Sequence, residues 1–140
     1  MNSVLLCLVV AITDGDTLKV HCRDQPQLVI RISAIDAPEK RQAWGQRSKQ
    51  SLSTLCFQQQ ATLKVIAKDR FGRSVADVLC QGEDAGEHQV RTGMAWVFDR
   101  YAKGHGHLYP LQDAARGAGR GLWGDGSQVP PWEWRSLHRQ

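Results

Sequence analysis

The chain has 140 residues, 41% of them hydrophobic, enough for one domain with a real core and too few for two ordinary ones. Its 18 Lys and Arg stand against 14 Asp and Glu, and the net charge of +4 leans modestly toward polyanionic partners. Four cysteines, Cys7, Cys22, Cys56 and Cys80, show no C-x-x-C pair and no histidines at zinc-site spacing, which excludes a zinc-finger scaffold. Three of them fall in strand-like runs and read as buried free thiols, while a single disulfide such as Cys56 to Cys80 stays open.

Val4 to Ile12 is an apolar run too short to span a membrane, and it lacks an Ala-x-Ala cleavage pattern. It reads as a first strand buried on both faces, so an export signal would have been removed or would lie upstream. Thr13-Asp14-Gly15-Asp16-Thr17 breaks the run, and Leu18, Val20 and Cys22 then alternate with Lys19 and His21. That pattern is a hairpin, with Asp-Gly as the favoured type I′ turn pair. A turn over Arg23 to Gln27 leads into Leu28 to Glu39, LVIRISAIDAPE, a strand carrying one arginine and ending in a stiff Asp36-Ala37-Pro38-Glu39 turn. Arg31 must face water or meet an anion, because an unpaired guanidinium is costly to bury. An internal salt bridge to Asp36 or Glu39 would satisfy it equally well.

Leu52, Leu55 and Cys56 recur at helical spacing and predict a helix over Gln46 to Phe57. Alternation returns at Ala61, Leu63, Val65 and Ala67, turns at Lys68 to Arg73, and runs back through Ser74 to Cys80. Asp84 with Glu87 forms a capping box for a short helix ending at Gly93. After the apolar run Met94 to Phe98, a third helix starts near Pro110 and carries Leu111, Ala115 and Ala118. The tail from about 121 holds Trp123, Trp132 and Trp134 around Pro130-Pro131, a composition that packs against a domain.

These elements predict an α+β, mainly β, single domain over 1–140: a five-stranded Greek-key OB-fold barrel with three helices. Function has to come from the site rather than the fold. Asp14, Asp16, Asp36 and Glu39 with Arg31 and Arg73 all fall near strand ends. Hard oxygen donors without a His or Cys cluster point to Ca²⁺ or Mg²⁺. Asp14-Gly15-Asp16-Thr17 taken alone is also an ordinary turn. His105 and His107 form an H-x-H that reads as a surface loop, and Arg47, Lys49, Lys64 and Lys68 are either solvated or line a track for a nucleic-acid backbone.

The order DGDT (14–17), R-x-x-x-x-D-x-P-E (31–39), D-R-F-G-R (69–73) and G-M-A-W-V (93–97) resembles the staphylococcal-nuclease-like, or thermonuclease, family, over roughly Val9 to Trp134. The closing G-L-W-G-D and P-P-W-E-W-R resemble its bacterial branch. The resemblance implies a Ca²⁺-dependent phosphodiesterase that acts on DNA or RNA and leaves 3′-phosphates. Asp16 and Asp36 match the metal carboxylates, and Ala37 contributes only a backbone carbonyl. Asp14 and Thr17 stand just outside the metal. Glu39 matches the acid that orients or deprotonates the attacking water, and Arg31 and Arg73 match the pair that grips the phosphate.

The same resemblance implies a monomer that prefers single strands, has no membrane partner, and works in a secreted or periplasmic setting, with the cytoplasm as the alternative. Arg70, Phe71, Trp96 and Tyr101 are the expected nucleic-acid contacts, with Trp44 as a further stacking candidate. Phe71 stands where the founding member has a tyrosine, Asp99 replaces one of a later aromatic pair, and the connection after Glu39 is short. The competing reading is a catalytically silent OB module that binds single-stranded nucleic acid or a protein partner.

Overall fold

In the computed structural model the first apolar run forms β1 (Ser3–Asp14), which pairs antiparallel with β2 (Thr17–Cys22) and with β5 (Gln60–Lys68). Residues 3–126 and 128–138 are described. β3 (Leu28–Ile32) pairs antiparallel with β2, and β6 (Ser74–Cys80) pairs antiparallel with β5. β3 and β6 then meet in parallel, so the order β3-β2-β1-β5-β6 closes into a five-stranded barrel of the predicted OB type. β7 (Glu83–Asp84) extends β6, and β4 (Ile35–Asp36) pairs separately with β8 (Trp96–Val97).

Alternation along the strands turns Val9, Leu18, Val20, Ile30, Ile32, Leu63 and Val78 into a solvent-free interior. Burying each of these contributes about 1.5–3 kcal/mol, so the barrel wall outweighs any single polar contact on its rim. α1 (Gly45–Cys56) adds Leu52, Leu55 and Cys56 to the same core. α2 (Ala85–Arg91) starts at the expected cap, where the Asp84 side chain accepts from the backbone N–H of Glu87. α3 (Leu108–Gly117) buries Leu108, Gln112 and Ala115.

The structure departs from four sequence expectations. β1 is not buried on both faces: Cys7 and Val9 point inward, while Val4 and Leu6 are each 67% exposed on the outer face. A fourth helix, α4 (Pro131–Leu137), joins the three expected. Pro131 occupies its first turn, where the missing N–H costs nothing, and seven residues are too few to show a period. The DGDT turn is not type I′, because neither Gly15 nor Asp16 takes a positive φ. Glycine is needed at 15 for space instead, since a Cβ there would meet Ser48 Oγ at 1.8 Å.

The cysteines are the fourth departure. None is free: Cys7 bonds Cys22 and Cys56 bonds Cys80. An unbroken ladder from the Asp14–Thr17 pair would set Cys22 against Val9, but irregularities at Val9/Ala11 and Ile12/Asp14 slide the register until Cys22 faces Cys7. The Cα atoms of that pair lie 4.3 Å apart. Peptide mapping without reductant should recover both linkages, and a thiol reagent should find no free cysteine in the native protein. Reduction should lower stability by about 3 kcal/mol per loop by chain-entropy reasoning, and an unchanged unfolding midpoint after reduction would refute this contribution.

Candidate active site

The oxygens of Asp16 accept three bonds that fix it. Its backbone carbonyl accepts from the Ile32 N–H at 2.8 Å, its Oδ2 accepts from the Ala37 N–H at 2.8 Å, and its Oδ1 accepts from the Thr17 hydroxyl at 2.8 Å. The DGDT turn is thereby stitched to the end of β3 and to the turn after β4. Behind it, the buried Gln89 of α2 donates to the carbonyls of Gly15 at 2.8 Å and Ser48 at 3.0 Å, so helices α1 and α2 back the turn. The Asp14 carboxylate accepts from the Asp16 N–H at 3.2 Å.

Arg31 lies in the barrel wall, paired in register with Thr17 on β2 and Val75 on β6. Its Nη1 donates to the carbonyls of Ile32 at 2.9 Å and Ile35 at 2.8 Å. Its Nη2 lies 3.5 Å from Asp16 Oδ2 and 3.4 Å from Asp36 Oδ1. The guanidinium therefore meets anions rather than water, and with 14% of its side chain exposed it is largely buried. Two carboxylates, one from the β1–β2 turn and one from β4, converge on one nitrogen.

A second cation at this cluster was absent from the sequence reading. Arg135, on α4, donates from Nη2 to Asp36 Oδ2 at 2.6 Å and from Nη1 to Asp36 Oδ1 at 3.2 Å and Glu39 Oε1 at 2.6 Å. The only sequence signal for it was its place three residues after Trp132, one helical turn on and over the same face. Trp132 stacks on Phe98 at 5.3 Å, and the tail before it is tied down by Gln42 donating to the Val129 carbonyl at 2.8 Å. Glu39 and Arg135 keep 34% and 39% of their side chains exposed, so the cluster opens to solvent on that side.

Arg73 stands apart from the acids. Its Nε donates to Asp69 Oδ2 at 2.7 Å, and Asp69 Oδ1 also accepts from the backbone N–H groups of Phe71 and Arg73. Arg70 and Arg73 flank the Phe71 ring at 4.9 and 5.4 Å, and the ring is 68% exposed. Arg73 precedes by two residues Val75, the register partner of Arg31, so this hairpin stands at the rim next to β3. Tyr101 is also exposed, edge-on to Phe98 at 5.1 Å. Trp96 is not available for stacking: it is buried between Trp123 and Trp132, at 5.1 and 6.5 Å, because the tail folds over it. His105 reaches Asp77 at 2.8 Å and Ser33 at 3.2 Å, so it pins its loop to the barrel.

Burial, then the charge of Asp16, pushes the Asp14 carboxyl up to about 8. For Asp36, burial outweighs the bonds from Arg135 and lifts the group to about 6. Burial opposes the charge of Asp16 as well, but Arg31 and the hydrogen bonds around it hold this carboxyl below its usual value. Partial burial likewise opposes the charge on Arg135, and Asp36 reverses that effect, so Arg135 stays protonated. The donors are hard oxygens only, the kind a divalent cation takes, and Asp16, Asp36 and Glu39 together carry more negative charge than Arg31 and Arg135 balance, with Arg31 Nη2 lying where the two buried carboxylates converge. Among the described residues no three or more His, Cys, Asp or Glu side chains close around one point. Asp16 and Asp36, with the Ala37 carbonyl and water, are the residues that could hold such an ion.

The sign of the pH effect follows from these shifts. A carboxyl raised in the folded state releases its proton more easily unfolded, so stability falls as pH rises from near 4 through about 8 for Asp14. The depressed Asp16 acts oppositely, and its contribution is lost only as pH falls below the usual carboxylate range. In chelator, the unfolding midpoint should decline from about pH 5 to about pH 8, and Asp14→Asn should flatten the decline. An unchanged slope in Asp14→Asn would show that Asp14 does not cause it.

The family described as staphylococcal nuclease homologue matches residues 29–125. The chain is 40% identical over 130 residues to an "Uncharacterized endonuclease" of Haemophilus influenzae, covering 92% of this chain and 72% of that protein. An "Uncharacterized endonuclease" of Escherichia coli O157:H7 is 40% identical over 134 residues, covering 94% and 84%. A "Micrococcal nuclease" of Shigella flexneri is 35% identical over 137 residues, covering 91% and 78%. Barrel, motif order and these likenesses agree, and the chain belongs to the staphylococcal nuclease homologues, a nuclease family.

Proposed function

We propose that the protein is a Ca²⁺-dependent nuclease that hydrolyses phosphodiester bonds of DNA or RNA and leaves 3′-phosphate ends. The observation that carries the reading is the convergence of Asp16 and Asp36 on Arg31 at the strand ends, beside a solvent-accessible Glu39. A bound divalent cation would supply positive charge at the phosphate oxygens, where charge gathers in the transition state. Arg31 stabilises the same charge from the barrel wall, and Arg73 joins it by exchanging Asp69, which holds it in the rim hairpin, for the phosphate. Glu39 orients a water and takes its proton as it attacks phosphorus, the P–O5′ bond breaks, and the leaving 5′ oxygen takes a proton from solvent. Exposed Phe71 and Tyr101 support a single-stranded substrate, since only unpaired bases offer faces for stacking. The pair of disulfides favours an oxidising, extracytoplasmic setting.

Incubation with single-stranded DNA should give cleavage in Ca²⁺ and none in chelator. The products should resist polymerase extension until treated with a phosphatase. Glu39→Gln should lower kcat by about 10²- to 10⁴-fold. Arg31→Gln and Arg73→Gln should each cost about 10²- to 10³-fold. Binding of the DNA without metal-dependent cleavage would leave the silent OB module standing instead.

A further inference from the structure

We propose that Arg135 is a positioning residue of this active site: from the C-terminal helix it clamps Glu39 beside Asp36 and so holds the general base toward its water. The inference rests on the nuclease reading above and adds to it a residue from outside the matched barrel region, residues 29–125.

The clamp is a fork with one tine shared. Nη2 and Nη1 take the two oxygens of Asp36 at 2.6 and 3.2 Å, and Nη1 also takes Oε1 of Glu39 at 2.6 Å. A planar guanidinium fixes direction as well as distance, which an ammonium on a flexible stem does not. Among the described residues only Oε1 of Glu39 has a partner, leaving Oε2 for a water. The backbone end of Glu39 is held from the same direction, because its N–H donates to Gln42 Oε1 at 3.1 Å and the Gln42 amide donates in turn to Val129 at 2.8 Å. Both ends of Glu39 are therefore tied to the tail. Trp132, stacked on Phe98 and edge-on to Trp96, anchors that tail one turn before Arg135.

Charge makes the clamp necessary. Asp16 and Asp36 also have Arg31, but among the described residues the side chain of Glu39 pairs with Arg135 alone, so without the clamp Glu39, the one of the three with the most solvent around it, would be the one to swing away. The Arg135–Glu39 half of the clamp keeps over a third of each side chain in water and adds little to folding, whereas the half on Asp36, whose side chain is 1% exposed, holds a buried charge, so its loss should lower stability as well as turnover. Displacing a catalytic group by about 1 Å is enough for a loss near 100-fold.

The test compares the unaltered chain with Arg135→Gln, Arg135→Lys, Glu39→Gln and the double variant Arg135→Gln/Glu39→Gln on single-stranded DNA in Ca²⁺. Arg135→Gln should lower kcat by about 10- to 100-fold with KM changed less than about threefold. Arg135→Lys should recover part of the rate, added guanidinium ion should partly rescue Arg135→Gln, and the double variant should be no slower than Glu39→Gln alone. Arg135→Gln should lower the unfolding midpoint, because buried Asp36 loses a cation, so kcat and KM are compared well below that midpoint; should Arg135→Gln unfold, Arg135→Lys carries the comparison through its kcat and KM. Full activity of Arg135→Gln, or losses that simply add in the double variant, would overturn the clamp while leaving the nuclease reading intact. A rise in kcat would overturn it too, and would make Arg135 a plug that substrate displaces. No cleavage by the unaltered chain would overturn both readings together.

Discussion

A buried guanidinium between two carboxylates organises this end of the barrel. Arg31 could not sit in a strand wall without partners, because stripping a charge of water costs more than a strand position returns. The Ile32 and Ile35 carbonyls satisfy one nitrogen, and Asp16 and Asp36 face the other. These partners come from the β1–β2 turn and from the segment after β3, so one charge demands that both segments arrive together. Barrel closure supplies the opportunity, since β3 has β2 on one side and β6 on the other.

The surroundings hold that arrangement rigid. Gly15 lets the turn press against Ser48 of α1, and Gln89 of α2 bonds both the turn and the helix. A second close approach works at the tail, where a Cβ on Gly93 would meet the Arg120 carbonyl at 2.2 Å. The chain after α3 can therefore lie flat against the segment leading into β8, with Leu122 N–H bonded to the Gly93 carbonyl. The aromatic tail builds on this seat, and Trp96 is enclosed as a result. The Phe71 hairpin and Tyr101, by contrast, hold their rings in solvent.

The two arginines expected to act together occupy different environments. Arg31 is sequestered and rigid, while Arg73 is a rim residue held by Asp69 in its own hairpin. Asp69, with 20% of its side chain exposed, holds Arg73 at 2.7 Å, and a phosphate would have to displace it to take that guanidinium. Arg31 is committed to the carboxylates that would surround a cation. Its reach to substrate depends on how their charge is shared, and Arg135 takes part in that sharing from the opposite side.

The five barrel strands and their hairpins, the capped α2, the extent of α1 and the acids at strand ends were legible in the residues, because alternation, capping and turn chemistry are local properties of a few neighbours. Asp16, Asp36, Glu39 and Arg31 were named from motif spacing, and the chain brings them together. Three features were decided only by tertiary structure. Cys7 meets Cys22 because irregularities within β1 shift its register, Trp96 is lost to the core because the tail covers it, and Arg135 reaches Glu39 across 96 residues of sequence. The first depends on the sum of backbone irregularities along a ladder, and the others on where a distant segment lands; neither leaves a mark on the residues next to it in the chain.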